Sequence, residues 1–460
     1  MSESSRLTNT ERFLALFTRV QSGEGRAVGI LALQAFTLMF AYYLIRPVRD
    51  ALILTEGTAE LRSYAVGAQA LLLLLIIPAY GQLVSRIASN RVFQFVMAFF
   101  ALNLVVFFLM GHAGVRFSFL FFVWASIFAV MAVAQFWAFA TDLLDVSSGT
   151  RLFGVIATGV SAGAWVGANV ASAGFESIGP YGLMLASAGV LCISIYLSEC
   201  ARRTIGTAGT RQKAVASDST TSAGETARRW LGGIAVVGRS RYLVGIAALV
   251  VLINWITSTG DFVLGSWLKE LAGSTSPQDT GAFIGTFMGS YYSTITLVGF
   301  LIQLLLVSRI INGAGLSRAL VVTPAVILAG FCLIGFLPLF ALLQSALVVQ
   351  RSLDYSLLNT TRSALLLPAT RDEKYQAKTA IDTLFYRGGD LLSALGVFVG
   401  TQVFDGARLQ FVWLIVVLSA TMTAVAWLIG REYSRRIGAG PAGSGCGELR
   451  LGDRRAVLAQ

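Results

Sequence analysis

Twelve apolar runs, most of them about as long as a bilayer is thick, dominate this sequence. They fall at about residues 27–54, 63–84, 92–111, 117–141, 152–174, 179–199, 242–268, 282–307, 319–341, 343–367, 378–402 and 409–430. Hydrocarbon offers the backbone no water, so a run of about 20 apolar residues closes its own hydrogen bonds as a helix and crosses about 30 Å. A chain made of such runs is predicted to be an all-α polytopic membrane protein. Composition agrees. Of 460 residues 13% are charged, about half the roughly 25% of soluble domains, and the mean hydropathy is +0.72. The first and seventh runs exceed the minimum length, which predicts tilt, kinks or protruding ends.

The single histidine, His112, lies in a Gly-His-Ala-Gly stretch that reads as a loop. A His-dependent triad, a His-ligated metal and a histidine pH sensor are therefore excluded. Cys192, Cys200, Cys332 and Cys446 have neither metal-ligand spacing nor the pattern of a disulfide framework. No dinucleotide fingerprint and no Gly-rich phosphate loop occurs, so neither a cofactor nor ATP hydrolysis is expected. Glu3, Glu11 and Glu24 precede the first long run, unlike a cleaved signal peptide. Absent a usable His, an embedded Glu and a sizeable soluble part, an enzyme is not expected. A receptor or scaffold is the rival from outside transport.

Basic residues set the orientation. Of the 35 Lys and Arg, 26 lie in the N-terminal segment, the even-numbered connections and the tail. The opposite loops hold only Arg62, Arg116, Lys269 and Arg408. By the positive-inside rule both termini are predicted to be cytoplasmic. The net charge of +11 is then mostly topology, and no nucleic-acid partner is expected.

The chain also repeats itself. Leu83-Val84-Ser85-Arg86-Ile87 follows the second run and Leu306-Val307-Ser308-Arg309-Ile310 the eighth, 223 residues later. Between the halves, residues 200–241 carry eight basic residues and a Ser/Thr/Ala-rich stretch, which reads as a flexible cytoplasmic linker. The expected organisation is an N-terminal segment 1–26, a six-helix half 27–199, the linker 200–241, a second six-helix half 242–430 and a tail 431–460. This layout resembles the major facilitator superfamily, whose signature between helices 2 and 3 survives here in degenerate form as Gly81 to Ser89. Gly159, Gly163 and Gly167, and likewise Gly281, Gly285 and Gly289, recur every four residues. Such spacing lets helix backbones approach closely. The ladders read either as generic tight packing or as a sliding seam between helices 5 and 8.

The informative residues are the charges inside the apolar runs: Arg46, Arg49, Asp50, Asp261, Arg351, Asp354, Arg362, Asp382, Arg387 and Asp390. An ionised group at mid-bilayer costs about 2.5–3.5 kcal/mol on insertion scales, so it persists where it is paired or faces water. At about 100° per residue, Arg46, Arg49 and Asp50 share one helix arc, and Pro47 is expected to kink or end that helix. Arg351 and Arg362, three turns apart, should be nearly eclipsed, and Arg387 and Asp390 lie one turn apart. The five acids and five bases read either as structural pairs or as stripes lining an aqueous cavity. Arginine suits bidentate binding of phosphate or carboxylate.

Arg46-Pro47-Val48-Arg49-Asp50-Ala51-Leu52-Ile53-Leu54-Thr55 resembles the first-helix motif of the ATP/ADP translocases of plastids and intracellular bacteria. Phe136-Trp137-Ala138-Phe139-Ala140 with Arg151-Leu152-Phe153 is similar to the family's helix 4–5 stretch. Ile253-Asn254, Asp261 and Ser266-Trp267-Leu268-Lys269 are similar to its helix 7 motif. Tyr355-Ser356-Leu357 with Arg362 and Pro368 resembles helix 10, and Lys378-Thr379-Ala380-Ile381-Asp382 with Arg387-Gly388-Gly389 resembles helix 11. The resemblance implies that Arg49 stands for the family's helix 1 lysine, Asp261 for the helix 7 glutamate and Arg387 for the helix 11 lysine. The helix 4 glutamate has no counterpart, since 117–141 contains no acid, and the helix 11 alignment needs a small gap.

The expectation is a secondary transporter of an anionic metabolite, first among them a nucleotide, working by alternating access in a bacterial cytoplasmic membrane as a monomer. Substrate would contact Arg46, Arg49, Asp50, Asp261, Arg362, Asp382 and Arg387. Asp261 and Asp382 would gate or couple. The alternative within transport is a proton-coupled permease or efflux pump of the same fold.

Overall fold

In the computed structural model the described residues are 24–85, 89–144, 146–205, 232–366, 371–403 and 407–438, and among them every regular element is a helix. Helices α1 (Glu24–Glu56), α2 (Ala59–Ser85), α3 (Ser89–His112) and α4 (Ser118–Leu143) come in turn. Val146–Ile205 is then two helices end to end, α5 (146–178) and α6 (180–205). They part at Gly179, whose φ of 66° is a left-handed conformation suited to glycine. The second half holds α7 (Arg241–Thr275), α8 (Thr280–Leu305), a short helix Val307–Ala314, α9 (Leu316–Phe336) and α12 (Arg408–Gly438). Between the last two lie α10 (340–365) and α11 (371–402), each interrupted by a single π turn, at Asp354–Leu358 and Ile381–Phe385.

Among the described residues nine helical stretches are long and apolar enough to cross a membrane, and one of them, Leu152–Thr204, is the α5–α6 pair. α10 and α11 fall outside the nine, because the π turns divide each into shorter α-helical pieces. At 1.5 Å per residue the 33 residues of α1 and the 35 of α7 span about 50 Å, more than the hydrocarbon thickness, as their run lengths predict. Pro47 neither ends nor breaks α1, which continues to Glu56. The proline removes one N–H from the ladder and leaves the Tyr43 carbonyl without its usual partner.

Close packing explains the glycine ladders, with one correction. Gly159, Gly163 and Gly167 do not line a seam with α8. A Cβ on Gly159 or Gly163 would collide with the backbone carbonyl of Ala32 or Phe36 on α1, and one on Gly167 would lie 2.7 Å from that of Phe40. This ladder therefore holds α1 against α5. The seam between α5 and α8 does exist, built from other residues. Phe175 and Ser172 cover Gly285 and Gly289, Ser172 Oγ donates to the Thr286 carbonyl at 2.8 Å, and Asn169 Nδ2 donates to Ser293 Oγ at 2.6 Å.

Further contacts between α1, α2 and α5 on one side and α7, α8 and α11 on the other gather toward one end. Lys269 Nζ donates to the Gly57 carbonyl. Gly265 meets Leu54, Gly281 meets Thr55, and Gly67 meets Ala394. Tyr64 and Phe398 meet edge to face at 6.2 Å. This is the end where α1 finishes and α2 and α8 begin. Toward the other end, Ala134, Ala138, Thr141 and Asp142 of α4 are exposed. Large apolar side chains on α3, α6, α9 and α12, such as Phe95, Ile193, Leu333 and Val417, face outward, as lipid-facing surface does and soluble surface avoids.

The linker prediction needs trimming. α6 runs on to Ile205, residues 232–239 are helical, and α7 begins at Arg241. Residues 206–231, the N-terminal segment through 23, the tail from 439 with Cys446, and the side chains from Gly81 to Ser89 lie outside what is described. His112 closes α3 rather than sitting in a loop, its ring nitrogen Nδ1 3.0 Å from the Phe108 carbonyl.

Candidate functional site

Between Ala27 and Thr55 the only charged residues of α1 are Arg46, Arg49 and Asp50, which share one face, and that face points into the protein. Asp50 is fully buried and is the hub. Its Oδ1 accepts from Arg62 Nε at 2.9 Å, and its Oδ2 from Tyr292 Oη at 2.5 Å and from Arg49 Nη2 at 3.4 Å. Arg62, one turn into α2, reaches on with Nη2 to Asp261 Oδ2 of α7 at 3.2 Å. Arg351 of α10 donates to the same oxygen at 2.5 Å. One chain of ion pairs thus runs from α1 through α2 and α7 to α10, across both halves.

Arg46 and Arg49 complete the cluster by other means. Arg49 Nη1 donates to Ser126 Oγ of α4 at 3.0 Å, and its guanidinium lies over the Phe122 ring at 4.4 Å. Arg46 has no carboxylate partner among the described residues. It donates to Tyr43 Oη at 2.9 Å and Tyr355 Oη at 3.4 Å, and it stacks over the Tyr292 ring at 4.0 Å. Cation–π contacts of this kind contribute about 2 kcal/mol when desolvated. In total Arg46, Arg49, Arg62 and Arg351 face only Asp50 and Asp261 in this network. Counted by these direct contacts the cluster has two more positive than negative charges, and Asp354, half-buried three residues on from Arg351 in α10, lowers the surplus to one. The Nε atoms of Arg46, Arg49 and Arg351 are buried without a hydrogen-bond acceptor.

Two further pairs stand apart. Arg387 Nη1 donates to Asp390 Oδ2 at 3.2 Å, and Asp390 Oδ1 accepts from Ser258 Oγ of α7 at 2.8 Å. Ser258 lies three residues before Asp261, so on a helix the two are neighbours on one face. Arg362 meets Asp382 at 3.5 Å between α10 and α11, and this pair is more open, with side chains 21% and 39% exposed. The expected eclipse of Arg351 and Arg362 is not kept. The π turn at Asp354–Leu358, where the Asn359 N–H donates to the Asp354 carbonyl, inserts an extra residue between them. One extra residue rotates the remainder of the helix by about 100°, and the two arginines go to different partners.

Of the expected site residues, Arg46, Arg49, Asp50 and Asp261 come together, while Arg387 and the Arg362–Asp382 pair sit in separate groups. Arg62 corrects the sequence reading. Taken from the sequence as an outward loop residue, it is buried at 3% exposure and links the halves. It lies just after a short polar stretch at a helix start, and nothing in the local pattern distinguishes it from a loop residue. Tyr43, Tyr292 and Ser126 also escape sequence reasoning, because an aromatic or a serine in an apolar run looks like core. Tyr355 carries a trace of signal in the Tyr-Ser-Leu motif. Among the described residues no group of three His, Cys, Asp or Glu could hold a metal ion.

Residues 4–113, which include α1, match the family model described as TLC ATP/ADP transporter. Over 94% of its length the chain is 22% identical to ADP,ATP carrier protein 2 of Chlamydia trachomatis serovar D, covering 93% of that protein. On both counts the chain is similar to the TLC ATP/ADP transporters. Its fold is shared with solved transporter structures. A mutant of the nucleoside transporter NupG superposes with a TM-score of 0.63 at 13% identity, over 88% of this chain and 99% of that one. The POT family transporter PepTSo superposes with a TM-score of 0.63 at 12% identity, over 89% and 98%. Against the family pattern, the positions on helices 1 and 7, Arg49 and Asp261, lie in the one network, and Arg387 on helix 11 lies beside it, tied to α7 through Asp390 and Ser258. Residues 117–141 contain no acid, and α4 presents Ser126 and Phe122 to Arg49.

Proposed function

We propose that this protein is a nucleotide antiporter of the ATP/ADP type, a carrier rather than an enzyme, that works by alternating access. The observation that carries the reading is the buried excess of positive charge centred on Arg46, which has no carboxylate partner among the described residues, in a network shared between the two halves. A phosphate chain supplies the missing negative charge. Arg46 and Arg49 offer it planar guanidinium donors already held in place by Tyr43, Tyr292 and Ser126. Arg387 of α11, tied through Asp390 to Ser258 one turn along α7 from Asp261, takes a further phosphate or the ribose end.

The same charges gate the carrier. Arg62 joins Asp50 of its own half to Asp261 of the other, at the end where the halves touch. A polyanion competes with both aspartates for the guanidiniums. When it replaces Asp261, the ionic link between the halves loosens and the closed end can open. Without substrate the link re-forms, so crossing requires a load and exchange results. The two halves rock about this site. The opposite end, with exposed Asp142 and the half-open Arg362–Asp382 pair, is then the cytoplasmic mouth. We place both termini in the cytoplasm of a bacterial inner membrane, with twelve crossings in a monomer. The orientation draws support from the basic connections, now contrasted with three rather than four basic residues on the far side.

Proteoliposomes loaded with ADP test this directly. Labelled ATP should enter only against internal nucleotide, and Arg46→Ala should abolish the uptake. Entry of another solute with none of ATP would overturn the nucleotide assignment. Collapse of uptake with an uncoupler, regardless of internal nucleotide, would instead favour a proton-coupled permease.

A further inference from the structure

A cleft of about 670 Å³ lies on the outer flank of the second half, away from the charged network. Arg318, Val321 and Val322 of α9 form one wall, and Trp427, Arg431 and Arg435 of α12 the other. The two helices are close here. A Cβ on Gly430 would lie 2.9 Å from the Ser317 carbonyl oxygen, and the Ser317 and Ser434 hydroxyls are hydrogen-bonded at 2.8 Å.

The cleft sits where hydrocarbon gives way to water. α12 carries no charge from Leu409 to Gly430 and then reads Arg431-Glu432-Tyr433-Ser434-Arg435-Arg436, while α9 begins only two residues before Arg318. Both arginine-bearing ends are therefore at one membrane surface. Trp427, one turn deeper and half exposed, is placed as interfacial tryptophans are, and the Arg431 guanidinium lies 4.6 Å from its ring centroid. Charge is uncompensated as well. Glu432 is 3.2 Å from Arg436 and only 4.0 Å from Arg435. Arg318 and Arg431 have no acid partner among the described residues. Besides the arginines the cleft is lined by the apolar side chains of Val321, Val322 and Ala325.

We infer that this cleft is a binding site for an anionic phospholipid, its headgroup phosphate held by Arg318 and Arg431 and one acyl chain laid along Val321 and Val322. Both parts of the site argue for a lipid. A free anion would use the arginines and leave the apolar lining without purpose, and a neutral lipid would use the apolar lining alone. Basic clefts between helices at the cytoplasmic surface are suited to such headgroups. The site is separate from the transport pathway, and the inference does not rest on which substrate is carried.

Native mass spectrometry of the purified, delipidated protein supplies the test, with phosphatidylglycerol and phosphatidylcholine of the same acyl chains in competition. Phosphatidylglycerol should be retained in preference by the unaltered protein, an arm that needs no variant. Arg318→Gln and Arg431→Gln should each weaken its retention about fivefold, and the melting temperature measured without lipid should not move, since both side chains are exposed. Equal retention of the two lipids, unchanged retention in the double variant, or displacement of the lipid by inorganic phosphate at equal concentration would each overturn the assignment.

Discussion

The cluster around Asp50 and the Arg362–Asp382 pair are both ionic groups inside a membrane helix bundle, yet they differ in every property that matters. Asp50 has no exposed surface and binds three partners at once. Asp382 is 39% exposed and faces one arginine at 3.5 Å. The first group has a surplus of positive charge in a dry setting, where Coulomb terms are large and a missing partner is costly. The second is neutral and close to water. Depth and imbalance, rather than the presence of charge in a helix, mark the place where an anion would change the protein.

The strongest way to break this contrast is Asp50→Asn, which strips the carboxylate from Arg49, Arg62 and Tyr292 together. It should cost about 3–5 kcal/mol, read as a marked fall in melting temperature together with loss of exchange. A mild effect would put the cluster in the same class as the exposed pair. Arg46→Gln should come next. Because Arg46 has no carboxylate partner among the described residues, its loss should lower the melting temperature less than Asp50→Asn does and raise the KM for nucleotide about 10- to 100-fold, the worth of one charge-assisted hydrogen bond at about 1.5–3 kcal/mol. Arg46→Lys should fail to restore it, and full activity with lysine would argue against bidentate recognition.

The inter-half link is sharpened by a double-mutant cycle on Arg62→Gln and Asp261→Asn. A coupling of about 0.5–3 kcal/mol in thermal stability is expected, together with greater labelling of a cysteine placed near Gly57 at the closed end. Additive effects and unchanged labelling would remove Arg62 from the gate. The smallest effect belongs to Arg362→Gln, at most about 1 kcal/mol and weaker still at high salt, as for other solvent-screened pairs. A loss of transport as large as that from Arg46→Gln would show that the outer pair belongs to the same site.

How much of this was legible in the residues depended on what each one contrasts with. Arg46, Arg49, Asp50 and Asp261 stand out because a charge within 20 apolar residues has a cost that has to be explained. Arg62 did not, since three residues into a helix it reads like any loop arginine, and only the fold brings α2 against α7. The glycine ladders announced close packing correctly. Their partners were not legible, because spacing of four specifies a smooth helix face and leaves open which helix lies on it. The π turns in α10 and α11 were equally hidden, and one of them sends Arg351 and Arg362 to different neighbours.

By itself the sequence determined that the chain lives in a bilayer as helices, because backbone groups in hydrocarbon have no other way to be satisfied. It also determined which charges had to be reckoned with. Tertiary structure alone decided their pairing: which aspartates hold two arginines each, which arginine of the network has no acid beside it, and which ion pair crosses from one half to the other. Burial cost is a property of a residue and its run, and can be read along a chain. Electrostatic partnership is a matter of a few ångströms between helices far apart in sequence, and it exists only once they pack.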